Sequence, residues 1–347
     1  MTPTMHTTGR QRLLAALHRG PAPGGRPVWL MRQAGRFLPE YREVRARVSF
    51  MELVHSPELC TTVALQPLAR FDLDATIVFS DILVIPDALG LGLSFSPGDG
   101  PKFARSVRTD ADVAALDWNG VHQRLDFAYQ AVSQLRRAAP THGLFGFAGA
   151  PWTLFCYMVQ GEGGKFPEAL AALDAAPERS ARLLERLADL VADHILAQAR
   201  AGADAVQVFD TWAGMLDKER YARFCIPGLR RIADRLRAAD VPAVLFLRGA
   251  QDRIDQADAW GFPAISVDHT TSLAHVRSTM PGITTQGNVD PEVLFTGEDA
   301  ITAAVRGVFE ATGGAADHIY NLGHGLTPTT PVEGVAAMVR AVRALPG

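Results

Sequence analysis

The stretch Pro27-Val28-Trp29-Leu30-Met31-Arg32-Gln33-Ala34-Gly35-Arg36-Phe37-Leu38-Pro39-Glu40-Tyr41-Arg42 holds two structural signals side by side. Val28 to Met31 is a short apolar run bounded by Pro27, which predicts a buried strand. Pro39 opens a charged segment, which predicts a helix. Arg32 and Arg36 fall between the two, with Gly35 giving the backbone freedom. From Arg32 to Arg47 there are five arginines and two glutamates, a net excess of three positive charges just past a strand end. Guanidinium groups stay charged at any working pH and bind carboxylates bidentately. A solvated helix face accounts for Arg42, Arg47 and both glutamates. It accounts poorly for Arg32 and Arg36, which leave a buried strand before the helix begins.

Seven more apolar runs follow: Ala75 to Phe79, Leu144 to Ala148, Ala205 to Phe209, Ala243 to Leu247, Ala264 to Val267, Gly282 to Gln286 and His318 to Leu322. Helical signals alternate with them. One covers Thr8 to Arg19, before the first run. Ser56-Pro57-Glu58 starts another that runs toward Arg70. Further helices are expected over Val121 to Arg137, after Gly149-Ala150-Pro151-Trp152, and over Asp217 to Ala239. The clearest follows Pro177, with Leu183, Leu187, Leu190, Val191 and Ile195 on one face and Gly202 closing it. The last opens at Thr330-Pro331-Val332-Glu333, a capping-box pattern, with Val335, Met338, Val339 and Val342 facing inward. Residues 89–108, rich in Gly, Pro and Ser, predict a lid or a hairpin.

Buried parallel strands appear as continuous apolar runs. Eight of them with helices between predict an α/β fold, a (β/α)8 TIM-type barrel, as a single domain over residues 1–347 with an N-terminal helical extension at about 1–26. A doubly wound sheet is the weaker reading, because no G-x-G-x-x-G or Walker pattern follows the first strand.

Composition narrows the function. Net charge is −3 at 20% charged residues, so nothing points to a nucleic-acid partner. No apolar run reaches the length of a membrane span, and Met1 to Gln11 lacks a signal-peptide core. Cys60, Cys156 and Cys225 are widely spaced and fall on predicted helices. They predict neither a disulfide framework nor a zinc site, and they fit a reducing cytoplasm. Three lysines occur, Lys102, Lys165 and Lys218. None ends a predicted strand, which disfavours Schiff-base chemistry.

In a barrel of this kind the chemistry sits at the C-terminal strand ends. That rule gathers Arg32, Arg36, Asp81, the helix carrying Tyr157, Thr211 and His324 at one mouth. Cations, one acid and neutral hydrogen-bonding groups would suit a substrate with several carboxylates and polar N–H groups. Asp81 could equally be a helix cap or an arginine's partner. Asp210, Asp268 and Asp290 also end strands, so position does not single Asp81 out. Tyr157 reads as a core or half-buried aromatic and Thr211 as a cap or loop hydroxyl. His324, between two glycines, could be structural.

The opening stretch resembles the signature segment of the uroporphyrinogen decarboxylase family, with Phe37 where Tyr is usual. The likeness continues at Phe79-Ser80-Asp81-Ile82-Leu83 and at Gly149-Ala150-Pro151-Trp152-Thr153-Leu154 with Tyr157. It continues again at Phe209-Asp210-Thr211-Trp212-Ala213-Gly214, Gly287-Asn288-Val289-Asp290-Pro291 and Asn321-Leu322-Gly323-His324-Gly325. Thr211 stands where many members have Ser, Arg248 where Lys is usual and His269 where Trp is usual. The resemblance implies a cytoplasmic, homodimeric carboxy-lyase without metal or other cofactor. It would convert uroporphyrinogen III to coproporphyrinogen III by removing CO2 from four acetate side chains. It also implies substrate contacts from Arg32, Gln33, Ala34, Gly35, Arg36, Asp81, Tyr157, Thr211 and His324, with Asp81 catalytic and Arg45 a further arginine. An ionised Asp81 would stabilise a protonated pyrrole, and nearby arginines are expected to lower its pKa. Water or His324 could deliver the proton. Two other readings are a zinc methyltransferase of related fold, which would need thiolate and imidazole ligands at strand ends, and a non-catalytic tetrapyrrole carrier.

Overall fold

The computed structural model describes residues 7–20, 23–96 and 100–346. Its strands are β1 (Ala75–Ile77), β2 (Leu93–Ser96), β3 (Gly100–Phe103), β4 (Gly143–Gly149), β5 (Ala205–Asp210), β6 (Ala243–Leu247), β7 (Ala264–Val267), β8 (Thr284–Val289) and β9 (His318–Leu322). Seven of them form one parallel sheet in the order β1-β4-β5-β6-β7-β8-β9. The remaining two, β2 and β3, pair antiparallel, as the hairpin reading of residues 89–108 expects.

The first predicted strand closes the sheet, but not as a regular strand. Val28 makes a single parallel bridge to Tyr320 of β9. Tyr320 N–H donates to Pro27 O at 2.8 Å, Trp29 N–H to Tyr320 O at 3.2 Å, and Asp74 N–H, just before β1, to Val28 O at 2.8 Å. Side chains replace the rest of the ladder. Leu30 N–H donates to Gln33 Oε1 at 2.9 Å and Met31 N–H to Asn321 Oδ1 at 2.9 Å. Pro27 has no N–H to offer. The segment is therefore the eighth stave of a TIM-type barrel, held by side-chain amides where a strand would use backbone.

The inward face of the staves is layered, because side chains alternate along a strand. At the N-terminal end, Trp29, Ala75, Phe145, Ala205, Val244, Ala264 and Ile319 pack together. Above them runs a buried polar chain: Trp29 Nε1–H donates to Gln286 Oε1, and Gln286 Nε2 to Gln207 Oε1, each at 3.0 Å. Toward the C-terminal end Met31, Phe209 and Phe246 cluster, with Ile77, Ile82 and Phe147 against them. The interior is filled, so a ligand can only sit on top.

The helix Gly9–Leu17, entered through a capping box between Thr8 and Gln11, lies across the N-terminal end of the barrel. Leu13 and Ala16 join the lowest layer, and Ala16 O accepts Thr284 Oγ1 at 3.0 Å. A Cβ on Gly9 would lie 2.6 Å from Asp74 O, so this approach needs glycine. Asp74, fully buried, holds Arg12 Nε at 2.6 Å and Arg343 Nη1 at 2.9 Å, and accepts Val28 N–H at 2.7 Å. One carboxylate thus ties the first helix, the eighth stave and the C-terminal helix Val332–Arg343 together.

Several helix expectations are corrected. Val121 to Arg137 is two helices, Val121–Arg124 and Asp126–Ala138, broken at Leu125. Asp217 to Ala239 is likewise Lys218–Phe224 and Ile226–Ala238, with Cys225 at the junction rather than inside a helix. Pro227, unable to donate an N–H and biased to a helix start, accounts for that break. The last helix starts with Pro331 as its N-cap and no side-chain cap. Thr330 Oγ1 instead accepts Thr327 N–H at 3.0 Å, so the expected capping box does not form. The faces predicted for that helix and for Pro177–Arg200 are buried.

Candidate active site

Four aspartates end strands, and the structure separates them by what their carboxylates already hold. Asp210 is fully buried, accepting Thr153 Oγ1–H and Tyr221 O–H at 3.0 Å each. Burial outweighs these bonds and the nearby Arg253 and pushes its pKa up to about 6. At Asp268 burial also acts to raise the pKa. Bonds from Gly249 N–H and from Thr270 and Thr271 prevail and leave it lowered. Asp290 caps the turn at Glu292, accepting its N–H at 3.0 Å. Asp81 differs. Its Oδ1 accepts Leu83 N–H at 2.8 Å, and among the described residues no donor reaches Oδ2.

Asp81 is half-buried beyond β1, beside Ile82 of the aromatic floor. Burial raises its pKa, and the Leu83 N–H and the Arg32 charge oppose that without reversing it. The expected lowering by arginines is therefore overturned: Arg32 acts in that direction, but desolvation is larger. An anion so placed is poorly solvated, and a cation arriving above it would relieve the cost.

Arg32 has a left-handed backbone, φ 63°, unusual for a residue with a side chain. Its aliphatic stem runs over Gly325, where a Cβ would come within 2.4 Å of Arg32 Cδ. Arg32 acts electrostatically on Asp81, Tyr157 and His324, which places these four around one space. Arg36 is exposed, its backbone O accepts Arg42 Nη1 at 2.8 Å, and its charge acts on Tyr41, as that of Arg45 does, rather than on these four. Among the described residues neither Arg32 nor Arg36 forms an ion pair. Gln33 turns inward instead: beside its bond from Leu30, its Nε2 donates to Ala75 O at 3.1 Å. Its side chain fastens the eighth stave to β1 and is not free for a ligand. Ala34 and Gly35 are partly accessible on the connecting turn.

Tyr157 rides on the helix Pro151–Gln160, its ring edge-on to Phe166 at 4.9 Å and 6.4 Å from Trp212. Burial raises its pKa, with the Asp81 charge adding to the rise, so the phenol keeps its proton. Thr211 is partly accessible just past β5. Its neighbour Trp212 is fixed by Trp152 Nε1–H donating to Trp212 O at 3.0 Å. His324 lies edge-on to Phe246, centroids 6.4 Å apart. Burial, then the charges of Arg32, Arg248 and His269, hold its pKa down to about 4. It is a neutral imidazole at neutral pH, which removes it as a ready proton donor. Arg45 bonds Val48 O and faces Phe50, and it acts on Tyr41 rather than on this cluster.

Sequence reasoning missed the floor itself. Phe209 contacts Phe147 on one side and Phe246 on the other, each at 5.7 Å between centroids. The signal was present as period-2 alternation: each lies two residues above a lower-layer residue, Phe145, Gln207 and Val244. The resulting site has an aromatic base of edge-on and tilted rings, a poorly solvated carboxylate at one edge and the unpaired guanidinium of Arg32 above. It would take a broad, apolar-cored polyanion with some positive character at its centre.

The cysteines do not contribute. All are buried and unoxidised, and burial pushes Cys60 up to about 12. Among the described residues no group of three or more His, Cys, Asp or Glu could hold a metal ion.

A TIM-barrel enzyme with charged and aromatic groups gathered at its mouth is the class these features define. The uroporphyrinogen decarboxylase (URO-D) family model matches residues 8–345, and the chain belongs to that family. The uroporphyrinogen decarboxylase of Ralstonia pickettii (strain 12J) is 48% identical over 344 residues, covering 95% of this chain and 93% of that one. That of Burkholderia pseudomallei (strain 668) is 45% identical over 330 residues, covering 91% and 90%. Among solved structures, a methyltransferase from Methanosarcina mazei superposes with TM-score 0.80 at 23% identity, covering 97% and 98%. A B12-independent methionine synthase from Shewanella sp. W3-18-1 gives 0.57 at 12%, covering 92% and 94%. At these identities the two structures speak to the fold alone.

Proposed function

We propose that this chain, working as one barrel domain, is a carboxy-lyase that removes CO2 from the four acetate side chains of uroporphyrinogen III, giving coproporphyrinogen III for haem synthesis. The observation that carries the chemistry is Asp81, a half-buried strand-end carboxylate that takes a single backbone N–H and lies within the field of Arg32. The pyrrole ring takes up a proton and becomes a cation. The bond from the acetate methylene to the carboxylate carbon then breaks, CO2 leaves, and the electron pair neutralises the ring. A second proton on the methylene completes the methyl group as the ring returns its own. Asp81 stabilises the cation by charge and by accepting pyrrole N–H. Arg32, Arg36, Tyr157 and Thr211 hold substrate carboxylates, and neutral His324 donates one hydrogen bond. With His324 neutral, water or a substrate acid supplies the protons.

Anaerobic incubation with uroporphyrinogen III should release four CO2 per macrocycle and should continue after exhaustive chelation. No CO2 release despite tight binding would favour a carrier, and loss of activity restored by added metal would favour metal chemistry. We further propose a cytoplasmic homodimer. None of the helices among the described residues is long and apolar enough to cross a membrane. Light scattering giving a monomer mass would reject the dimer.

A further inference from the structure

We infer that Arg248 is a second carboxylate clamp, standing across the mouth from Arg32 and gripping an acidic substituent on the far side of the same tetrapyrrole. This rests on the porphyrinogen reading of the site.

Strand alternation carries the placement. On β6, Val244 belongs to the lowest inward layer and Phe246 to the aromatic floor. Arg248, two residues on, therefore emerges on the inward side just above that floor. Asp210 of β5 pairs with Leu247, so Thr211 is Arg248's neighbour on the next stave. Counting from the eighth stave at Val28 through β1, β4 and β5, β6 lies halfway round the barrel. A long substrate lying flat on the floor would meet Arg32 at one edge and Arg248 at the other.

The backbone under Arg248 is fixed. Gly214 N–H donates to Arg248 O at 3.0 Å, and Arg248 N–H to Asp210 O at 3.4 Å. A Cβ on Gly214 would sit 3.1 Å from Arg248 O, and one on Gly249 would sit 2.9 Å from Gly214 Cα, so these loops touch with nothing between them. The side chain, by contrast, is exposed, and among the described residues it forms no ion pair. The nearest strand-end carboxylates are spoken for: Asp210 by Thr153 and Tyr221, Asp268 by Gly249, Thr270 and Thr271.

A solvated surface arginine is the bland alternative. On the outer helices, however, Arg220, Arg230, Arg231, Arg235 and Arg237 each pair with an Asp or Glu. Arg137, Arg200 and Arg306 on outer helices are also without ion pairs among the described residues, so what sets Arg248 apart is its place on the rim, where it imposes its charge on His324, which its own strand touches through Phe246. An unpaired, fully charged guanidinium beside an apolar floor is what a carboxylate ligand needs.

The test is fluorescence titration of uroporphyrin, the oxidised and unreactive octacarboxylate, into wild type, Arg248→Ala, Arg248→Lys and Arg237→Ala, with thermal melts of each. Arg248→Ala should weaken binding about tenfold or more, the loss of one charge-assisted hydrogen bond, without shifting the melt. Arg248→Lys should recover part of the loss, and Arg237→Ala, the same charge change on the outer face, should match wild type. The same titration with coproporphyrin identifies the group held. A loss confined to uroporphyrin supports an acetate clamp, and an equal loss supports a propionate clamp. A folded Arg248→Ala protein with wild-type affinity overturns the inference, as does an equal loss in Arg237→Ala. Binding is read without turnover, so a wild type that binds but releases no CO2 defeats the decarboxylase reading while leaving the clamp standing or falling on its own.

Discussion

At the N-terminal end of the barrel, Asp74 is fully buried between Arg12 and Arg343 and also takes a backbone N–H. At the C-terminal end, Arg32, Arg36 and Arg248 stand without ion pairs among the described residues, and Asp81 has one oxygen bonded and one open. Both ends use arginine and aspartate. At the closed end every charge is spent on another part of the chain, which fixes three distant segments. At the open end charges are held apart on a rigid rim, so their partners must come from outside. Paired charge is concentrated at the closed end, and unpaired charge at the end where the proposed site lies.

The largest expected effect is at the closed end. Asp74→Ala leaves two guanidiniums without their shared partner and should cost about 3–5 kcal/mol of folding stability. Urea unfolding measures this, and activity per folded molecule should hold. A variant that stays stable but loses activity would break the division of labour between the ends.

At the open end, Asp81→Asn keeps the shape and removes the charge. Single-turnover CO2 release should fall on the order of 10²–10³-fold, with binding less affected and the melt nearly unchanged. Near-normal turnover, or a loss in binding alone, would make Asp81 a positioning residue.

Asp210 sharpens the contrast, being a buried acid at the mouth end held mainly by hydroxyls. Its folded pKa of about 6 lies above the ordinary 3.8. The folded state therefore holds the proton more tightly, and stability drains away as pH rises from about 4 through 6. Relative to Asp210→Asn, wild type should lose at most about 3 kcal/mol over that span, at about 1.4 kcal/mol per unit. Parallel denaturation curves of the two proteins from pH 4 to 7 check the sign. A constant difference would show that Asp210 does not titrate there.

The smallest effects separate arginines within the opening stretch. Arg32→Ala and Arg36→Ala should each weaken substrate binding by about 1.5–3 kcal/mol, while Arg47→Ala, an exposed charge, should change it by under about 0.5 kcal/mol. Equal effects at Arg36 and Arg47, read as KM or as porphyrin affinity, would dissolve the distinction between rim and surface.

Much of this was legible in sequence because the staves are buried on both sides. Apolar runs such as Ala243–Leu247, Ala264–Val267 and His318–Leu322 match the observed strands residue for residue. Strand-end position gathered Arg32, Asp81, Thr211 and His324 before any coordinates. What stayed hidden depends on contacts between distant residues. Gln33 is implied as a substrate contact, yet Ala75 and Leu30 draw its amide inward. Asp74 carries no signal of its own in the sequence, and only folding brings it Arg343. The sign of the Asp81 shift could not be guessed either, since it depends on how closely the floor and rim exclude water.

Gly325 has a genetic consequence. The Arg32 stem occupies the space that any side chain at 325 would need. A change there adds no charge and removes none, yet it must evict the arginine from the mouth. In a saturation library selected for haem synthesis, alleles at 325 should therefore cluster with those at 32 in phenotype, while their proteins accumulate and melt much like the parent. Codon 325 would behave as a second locus for the same arginine.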